Sequence, residues 1–393
     1  MLMSSPSTNP AHPPPANRSL GLDCLRSLSI VIVLCNHGLI GFVFSQGILP
    51  FQGWLARFSA SAVLSIEWLF LLSGYLIGAM MIRSFESGRP WAACARDFWL
   101  RRWFRTVPNY YLFLILNLLL VSWGWMEGVF DWKFLVFSQN LAWTETTPHF
   151  FGESWSLALD EWFYFSMPLL LGLVASLGVK RNQTRFMLVS LFLIVGPTLL
   201  RAMHAPSVEF FGWDADIRRV TIYHLDATGW GVLAAVMNKW FKPWWRSREG
   251  AKALAGVALM GLGLYGVCDL LQPVSPLMGR VWNVAAIACM AAGTFLVMPW
   301  LTQSFSAKPR LAAFTGRLSM YAYSIYLSHF PMMFVYLHVL KAQGPVTAWA
   351  LAAAVIGWLI SVLLISALVY HLFEGPVADL RERFTRKVDA SPF

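Results

Sequence analysis

Residues 20–44 read LGLDCLRSLSIVIVLCNHGLIGFVF, an apolar run long enough to cross a bilayer as a helix. A few polar side chains interrupt it. Asp23 and Arg26 stand near its beginning, and Asn36 and His37 lie deeper. Because Arg26 and His37 are eleven residues apart, a helix turns them to within about 20° of each other and separates them by about 16 Å. One helix face therefore carries both groups, at two depths.

Ionisable side chains within a membrane helix are rare and usually have a function. Placing one at the centre of the helix costs about 2.5–3.5 kcal/mol on insertion scales, and such groups usually face a cavity or the protein interior. We therefore predict that His37 takes part in chemistry and that Arg26 holds an anionic group.

The composition of the whole chain agrees with a membrane protein. Of its 393 residues, 57% are hydrophobic and only 13% are charged, too little polar surface for a soluble protein of this size. The net charge of +10 comes from Lys and Arg in short loops between apolar runs, so nucleic-acid binding is not indicated. The five cysteines show no CxxC pairing, so neither a disulfide framework nor a metal site is predicted.

The hydrophobic pattern predicts an all-α, polytopic membrane helix bundle with about ten transmembrane helices. Most of the Lys and Arg residues fall on one side of it, which predicts that the N- and C-termini are cytoplasmic. Residues 1–19 are expected to be a disordered tail, 20–376 the transmembrane domain, and 377–393 a basic tail. Two longer loops are expected, an Arg-rich cytoplasmic segment at 83–108 and a far-side loop at 126–154. The predicted spans are 28–45, 62–82, 109–125, 155–178, 186–202, 222–238, 253–270, 281–301, 318–340 and 348–372.

The Arg-rich segment contains Arg101, Arg102 and Arg105 just before Pro108. Arg102 and Arg105 are three residues apart, so a helix places them on one face, a geometry suited to phosphate oxygens. Any cytoplasmic loop collects arginines. With Arg26 at the same membrane level, however, a phosphate-bearing cytosolic ligand is the interpretation we favour.

The segment 153–168, ESWSLALDEWFYFSMP, opens the fourth predicted helix from the far side and carries two adjacent acids, Asp160 and Glu161. Either acid can complement a helix N-terminus electrostatically. Alternatively, a carboxylate that accepts a proton from a histidine ring fixes the tautomer of the ring, and either acid can orient His37 in this way. His329 precedes Pro331 in the ninth predicted helix, where a proline frees a backbone carbonyl and often accompanies a cavity.

Together these motifs resemble the acyltransferase type 3 family, integral membrane enzymes that transfer acyl groups to sugars and other small molecules. Asp23 stands at the family's opening motif, although Asp160 stands where the family usually shows Glu, which leaves open which acid acts. The resemblance is spread over nearly the whole chain and rests on five short motifs in the same order: residues 22–26 with His37, residues 71–77, residues 100–111, residues 155–164, and residues 323–331 with Glu374 and Pro376.

The resemblance implies a membrane O-acyltransferase in a bacterial inner membrane. It implies that cytosolic acetyl-CoA is the acyl donor, bound through its phosphates by Arg26, Arg102 and Arg105, with Arg101 beside them. A carbohydrate or glycan hydroxyl would be the acceptor, in a cleft around Trp155, Glu161 and the loop 126–154. Further substrate contacts are expected at Ser73, Tyr75, Tyr164 and His329.

Two roles fit His37 in such an enzyme. It can be the general base that removes the proton of the acceptor hydroxyl, or it can itself be acylated and relay the group outward. A proton-coupled transporter or flippase is the competing function, because buried ionisable groups suit that class equally well. The two halves of the chain show no convincing repeat of the kind common in transporters.

Overall fold

The structure, a computed structural model, describes residues 19–44, 47–48, 52–145, 150–342 and 346–384. These residues form helices joined by turns and loops, with no β-strand among them, which confirms the predicted all-α class. Residues 1–18 and 385–393, most of the two expected tails, lie outside the described residues. The ten long helices of the described part are α1 (Leu20–Leu39), α2 (Gly53–Glu86), α3 (Trp91–Ser122), α4 (Ser154–Ser176), α5 (Asn182–Met203), α6 (Asp226–Trp240), α7 (Glu249–Leu270), α8 (Pro276–Gln303), α9 (Pro309–Ala342) and α10 (Ala348–Val369).

Eight helical segments of the described chain are long and apolar enough to cross a membrane, as a multi-pass membrane protein requires. The π-helical turns Ile40–Phe44 and Tyr370–Glu374 extend α1 and α10. α6 has only 15 residues, and α9 is longer but more polar. The predicted span 222–238 is thus interrupted: a short helix, Thr221–His224, precedes α6. The count of ten spans and the side of the termini stay predictions.

The Arg-rich segment is mostly helical, so the expected loop at 83–108 is wrong over most of its length. α3 begins at Trp91 and continues through Pro108 to Ser122. The arginines at 101, 102 and 105 therefore belong to a membrane helix and point from it at defined angles. A proline at this position is tolerated because neighbouring groups in a bundle can replace the lost hydrogen bond.

The described part of the expected far-side loop, residues 126–145 and 150–154, folds back against the membrane helices. Tyr110 and Tyr111 of α3 donate their hydroxyl protons to the carbonyls of Phe134 and Leu135, at 2.9 and 2.5 Å. Tyr111 lies eleven residues before the end of α3, which corresponds to a depth of about 16 Å. Since a bilayer cannot solvate loop carbonyls, side-chain donors from the helices are what allow this segment to lie so deep.

Buried charges elsewhere in the bundle are paired. Arg201, at the end of α5, forms an ion pair of 2.6 Å with Asp226 at the start of α6, and both are almost fully buried. Glu67 of α2 accepts a hydrogen bond of 2.5 Å from the Nε2 atom of His224. These pairs keep charged groups satisfied within the bundle and hold α2, α5 and α6 together.

Glycine allows α2 and α6 to approach closely beside the site. A Cβ atom at Gly74 would lie 2.1 Å from the carbonyl oxygen of Thr228, and one at Gly231 would lie 2.2 Å from that of Leu71. The small residues at mid-depth in α2 therefore serve helix packing, as membrane bundles commonly use them.

Candidate active site

A polar cavity of about 180 Å³ lies between α1, α2, α3, α4 and α9, and we call it the inner cavity. It is the place where motifs from opposite ends of the chain meet. Seven of the predicted site residues line it: Arg26, Ser73, Arg102, Arg105, Asp160, Glu161 and Tyr164.

Two arginines of the inner cavity contact neighbouring side chains. The Nη1 atom of Arg26 donates to the hydroxyl of Ser319 at 3.2 Å, and that hydroxyl donates to Asp23 at 2.8 Å. The guanidinium of Arg102 lies 5.6 Å from the ring centroid of Tyr164, within cation–π range. Ser319 joins α9 to α1, a contact that the sequence did not indicate.

The two acids lie in the inner cavity and do not contact His37 by any hydrogen bond of the described residues. Glu161 accepts a hydrogen bond of 2.5 Å from the hydroxyl of Thr106. Beside Asp160, the hydroxyls of Ser73 and Tyr164 are 2.9 Å apart. The hypothesis that Asp160 or Glu161 orients His37 is therefore wrong, because α4 presents both acids to α3 and α2.

His37 is instead paired with His329 of α9. The Nδ1 atom of His37 lies 2.8 Å from the Nε2 atom of His329, and the two rings are nearly parallel, with centroids 5.0 Å apart. His329 is fully buried, and its other nitrogen lies 2.6 Å from the carbonyl oxygen of Tyr326. His329, which was predicted to belong to the site, therefore contacts the ring of His37.

The carbonyl fixes which nitrogen atoms carry protons. A carbonyl oxygen only accepts, so the Nδ1 atom of a neutral His329 holds the proton and its Nε2 atom accepts. The Nδ1 atom of His37 must then be the donor between the two rings. This leaves the Nε2 atom of His37 with a free lone pair, the form that a general base requires.

Tyr326 closes the inner cavity on the side of the histidines. It lines the cavity, and its hydroxyl lies 2.7 Å from the hydroxyl of Ser156 on α4. His329 follows Tyr326 by three residues, and His37 follows Ile30, a lining residue of α1, by seven. Since three- and seven-residue steps return to one helix face, the histidine pair lies on the continuation of the cavity walls, beyond Tyr326.

Charged residues from the segment before α6 surround the outer side of the histidines. Arg218 and Arg219 both donate to Asp214, the latter at 2.7 Å, and both are within electrostatic range of His37. The guanidinium of Arg218 lies 4.5 Å from the ring centroid of Trp155. The sequence indicated this cluster only by two adjacent arginines, Arg218 and Arg219, shortly before a helix. No role was predicted for them.

Two buried carboxyl groups complete this outer side. Glu145 is 7% exposed and Glu153 is 1% exposed, and none of their carboxylate oxygens has a hydrogen-bond partner among the described residues. Burial raises the pKa of Glu145 to about 8, against an opposing effect of Arg219. Burial also raises the pKa of Glu153 well above its usual range. Burial therefore favours the uncharged form of both carboxyl groups.

Besides the two histidines, three predicted site residues lie outside the inner cavity. Tyr75 is buried, and its hydroxyl accepts a hydrogen bond of 2.7 Å from Asn238. Trp155 stacks on His224 at 6.2 Å on the outer side. Arg101 is not among the cavity-lining residues, although it precedes Arg105 by four residues on α3. Packing explains the position of Tyr75.

Comparison with known proteins gives a family match and two remote relatives. The acyltransferase domain family model matches residues 19–371. YrhL of Bacillus subtilis (strain 168), a predicted peptidoglycan O-acetyltransferase, is 22% identical over 94% of this chain and 56% of its own length. The peptidoglycan O-acetyltransferase OatA of Listeria monocytogenes serovar 1/2a (strain EGD-e) is 23% identical over 91% of this chain and 55% of its own length. The chain thus spans about half the length of these relatives. No solved structure matches it significantly.

Proposed function

Because the chain belongs to the acyltransferase domain family, we propose that it is a membrane O-acetyltransferase that moves an acetyl group from acetyl-CoA to a hydroxyl of a glycan. The names of the two relatives support the acetyl group and a cell-wall glycan as the acceptor class. The inner cavity and the histidine pair support a division of labour between donor binding and proton transfer.

The observation that carries the proposal is the position of the inner cavity relative to His37. Its arginines, Arg26, Arg102 and Arg105, supply the positive charge that CoA phosphates require. Its volume of about 180 Å³ is below that of most small-molecule sites. The cavity therefore suits the thioester end of the donor, with the nucleotide remaining near Arg105 at the exposed end.

His37 is the general base in this mechanism. As the acceptor oxygen attacks the thioester carbonyl carbon, its proton passes to the Nε2 atom of His37. The carbon–sulfur bond breaks, and the proton then goes to the departing CoA sulfur. His329 accepts the Nδ1 proton of His37 throughout, so it holds the ring in the reactive tautomer and stabilises the imidazolium, as a triad carboxylate does.

Transfer requires Tyr326 to move. Its hydroxyl contact with Ser156 closes the path from the inner cavity to His37. Movement of the ring breaks this neutral hydrogen bond, whose net contribution is about 0.5–1.5 kcal/mol, and the longer contact of the same hydroxyl with the carbonyl oxygen of Glu153. The alternative in which His37 is itself acylated and relays the group needs the same movement.

The decisive experiment follows both products. Purified protein in detergent is given [¹⁴C]acetyl-CoA and a soluble peptidoglycan fragment, and free CoA and acetylated fragment are measured together. We expect equal amounts of both, dependent on the protein and on the fragment. The same protein is also reconstituted into lipid vesicles. Passage of a glycan across the vesicle membrane without release of CoA would identify a transporter and overturn the proposal.

A trapped intermediate separates the two roles of His37. In the direct mechanism, protein incubated with [¹⁴C]acetyl-CoA alone and denatured rapidly in SDS at neutral pH retains no label. In the relay mechanism, label remains on the peptide that contains His37. This peptide lacks the label in His37→Ala protein if the relay holds.

A further inference from the structure

A second cavity, of about 540 Å³, opens at the side of the bundle between α3 and α4, and we call it the lateral cavity. It is separate from the proposed reaction path. Its walls are almost wholly apolar and aromatic, and they also include the folded-back loop through residues 136 and 137. The wall residues used below are Trp103, Phe104, Val107 and Phe165.

The mouth of the lateral cavity faces the bilayer. Trp103 and Phe165 line it and are 46% and 43% exposed, although each belongs to a membrane helix. Such surfaces face lipid in a bundle, so the medium at this mouth is hydrocarbon. An apolar cavity of this kind stays dry, and a hydrocarbon chain is the ligand that fills it.

One carboxylate borders the lateral cavity. Glu161 lines both this cavity and the inner cavity. Its Oε1 atom already accepts the proton of Thr106, so the carboxylate is satisfied from within the bundle. No Lys or Arg is among the described residues that line the lateral cavity, and apart from Glu161 a chain inside it meets mainly apolar and aromatic side chains.

A cationic group stands at one end of this cavity. Arg101 lies one helical turn before Phe104 on α3, and long side chains on a helix lean toward its N-terminus. The guanidinium therefore extends beyond the apolar walls, toward the end of α3 that carries the arginines. This end is the predicted cytoplasmic side.

Two donor atoms of the Arg101 guanidinium have no acceptor among the described residues. The Nε and Nη2 atoms of Arg101 are buried and have no hydrogen-bond partner among the described residues. These two atoms form the edge that binds phosphate oxygens side by side. Buried donors without acceptors are rare in folded proteins and need an explanation.

We propose that the lateral cavity and Arg101 together bind an anionic phospholipid of the bilayer leaflet on the arginine side. One acyl chain lies along Phe104 and Val107, and the phosphate accepts from the Nε and Nη2 atoms of Arg101. The arrangement is a basic position next to an apolar cavity between membrane helices, the combination that binds anionic head groups. It also accounts for the one predicted donor-binding arginine that does not reach the inner cavity.

The test measures lipid binding directly, by native mass spectrometry of protein delipidated in detergent and titrated with dioleoyl phosphatidylglycerol or dioleoyl phosphatidylcholine. We expect a first phosphatidylglycerol molecule to bind about tenfold more tightly than phosphatidylcholine, because the choline cation of the latter offsets the attraction between its phosphate and Arg101. Equal binding of the two lipids to wild-type protein would overturn the proposal.

Two variants locate the site, each with a matched control. Arg101→Gln should remove the preference for phosphatidylglycerol, whereas Arg181→Gln, an exposed arginine of the α4–α5 loop, should keep it. Val107→Trp fills the cavity and should abolish the first binding event, whereas Leu173→Trp on the exposed surface of α4 should not. A preference that survives both site variants refutes the assignment.

Two further measurements determine where the lipid binds and which lipid class the site prefers. A photoreactive phosphatidylglycerol with a diazirine in its acyl chain should label the peptide containing residues 103–107 in wild-type protein, and Val107→Trp should lose this label while keeping the wild-type unfolding temperature. A polyprenyl monophosphate added as competitor should not displace the label at equal concentration. Displacement by it alone would assign the site to a lipid carrier and overturn the phospholipid assignment. Lipid binding is measured without acetyl-CoA, so its failure is independent of the enzyme assay.

Discussion

The inner cavity and the outer side of the histidine pair are two polar regions on the same helix faces, yet they are built differently. In the inner cavity, Arg26 is held by a hydroxyl and the arginines line an open space. On the outer side, Arg218 and Arg219 are bound to Asp214, and burial raises the pKa of the nearby Glu145 to about 8. The inner arginines line a space that a ligand can enter, whereas the outer ones are paired with a carboxylate of the protein.

Tyr326 marks the boundary between the two regions. It lines the inner cavity with its ring and supplies the carbonyl that sets the tautomer of His329. Donor binding and proton transfer are therefore separated along α1, by a helix rise of about 16 Å between Arg26 and His37. Substitutions on the two sides should affect different kinetic constants.

The largest effect is expected on the histidine side. His37→Ala should lower kcat about 10³-fold, because general-base catalysis of this kind contributes about 10²–10⁴-fold, and the KM for acetyl-CoA should change little. His338→Ala is the matched control, because His338 is another histidine of a long helix, on α9, and stacks on Trp125. Wild-type kcat in His37→Ala would remove the histidine from the mechanism.

A smaller loss is expected when the partner ring is changed. His329→Phe removes the acceptor for the Nδ1 proton of His37 and should lower kcat about 100-fold, less than the loss of about 10⁴-fold that follows when a triad histidine is held in the wrong tautomer. His329→Gln keeps an acceptor oxygen and should restore part of the rate. If both variants lose the same activity, His329 has only a packing role.

A substitution in the inner cavity should change the binding of the acyl donor. Arg26→Ala removes a charge-assisted contact, worth about 1.5–3 kcal/mol, and should raise the KM for acetyl-CoA about tenfold with kcat nearly unchanged. Arg181→Ala supplies the control for loss of positive charge. A fall in kcat at unchanged KM would place Arg26 with the histidines rather than with the donor.

The smallest effect on activity is expected on the outer side, where a substitution should change folding stability instead. Glu145 has a pKa of about 8 in the folded protein against an ordinary value of 4.5, so the unfolded chain releases this proton at lower pH than the folded one. Folding stability contributed by the protonated form is therefore lost as pH rises from about 4.5 to about 8. Glu145→Gln should lie within about 1 kcal/mol of wild type at pH 5 and exceed it at pH 9 by roughly 4–5 kcal/mol.

Thermal unfolding in detergent checks this pH dependence. The variant Glu127→Gln, on the same segment but outside the buried cluster, should follow the wild-type curve. An identical pH dependence of wild type and Glu145→Gln would show that the carboxyl is hydrated or paired on the outer side.

Much of the architecture could be predicted from the chain. The apolar runs predict membrane helices because a bilayer demands long segments that satisfy their own backbone, and the motifs indicate the family that the comparison then supports. The eleven-residue spacing of Arg26 and His37 on one helix face also needs no structure, since it follows from helix geometry alone.

Only the tertiary structure decided which side chains meet. The partner of His37 is His329, almost three hundred residues away, and Glu161 turns to Thr106 instead. Helix periodicity fixes the face of a residue but not the neighbouring helix, because packing between distant segments sets helix rotation. For the same reason the folding back of residues 126–145 could not be predicted: the carbonyls of Phe134 and Leu135 accept from Tyr110 and Tyr111, donors that belong to another part of the chain.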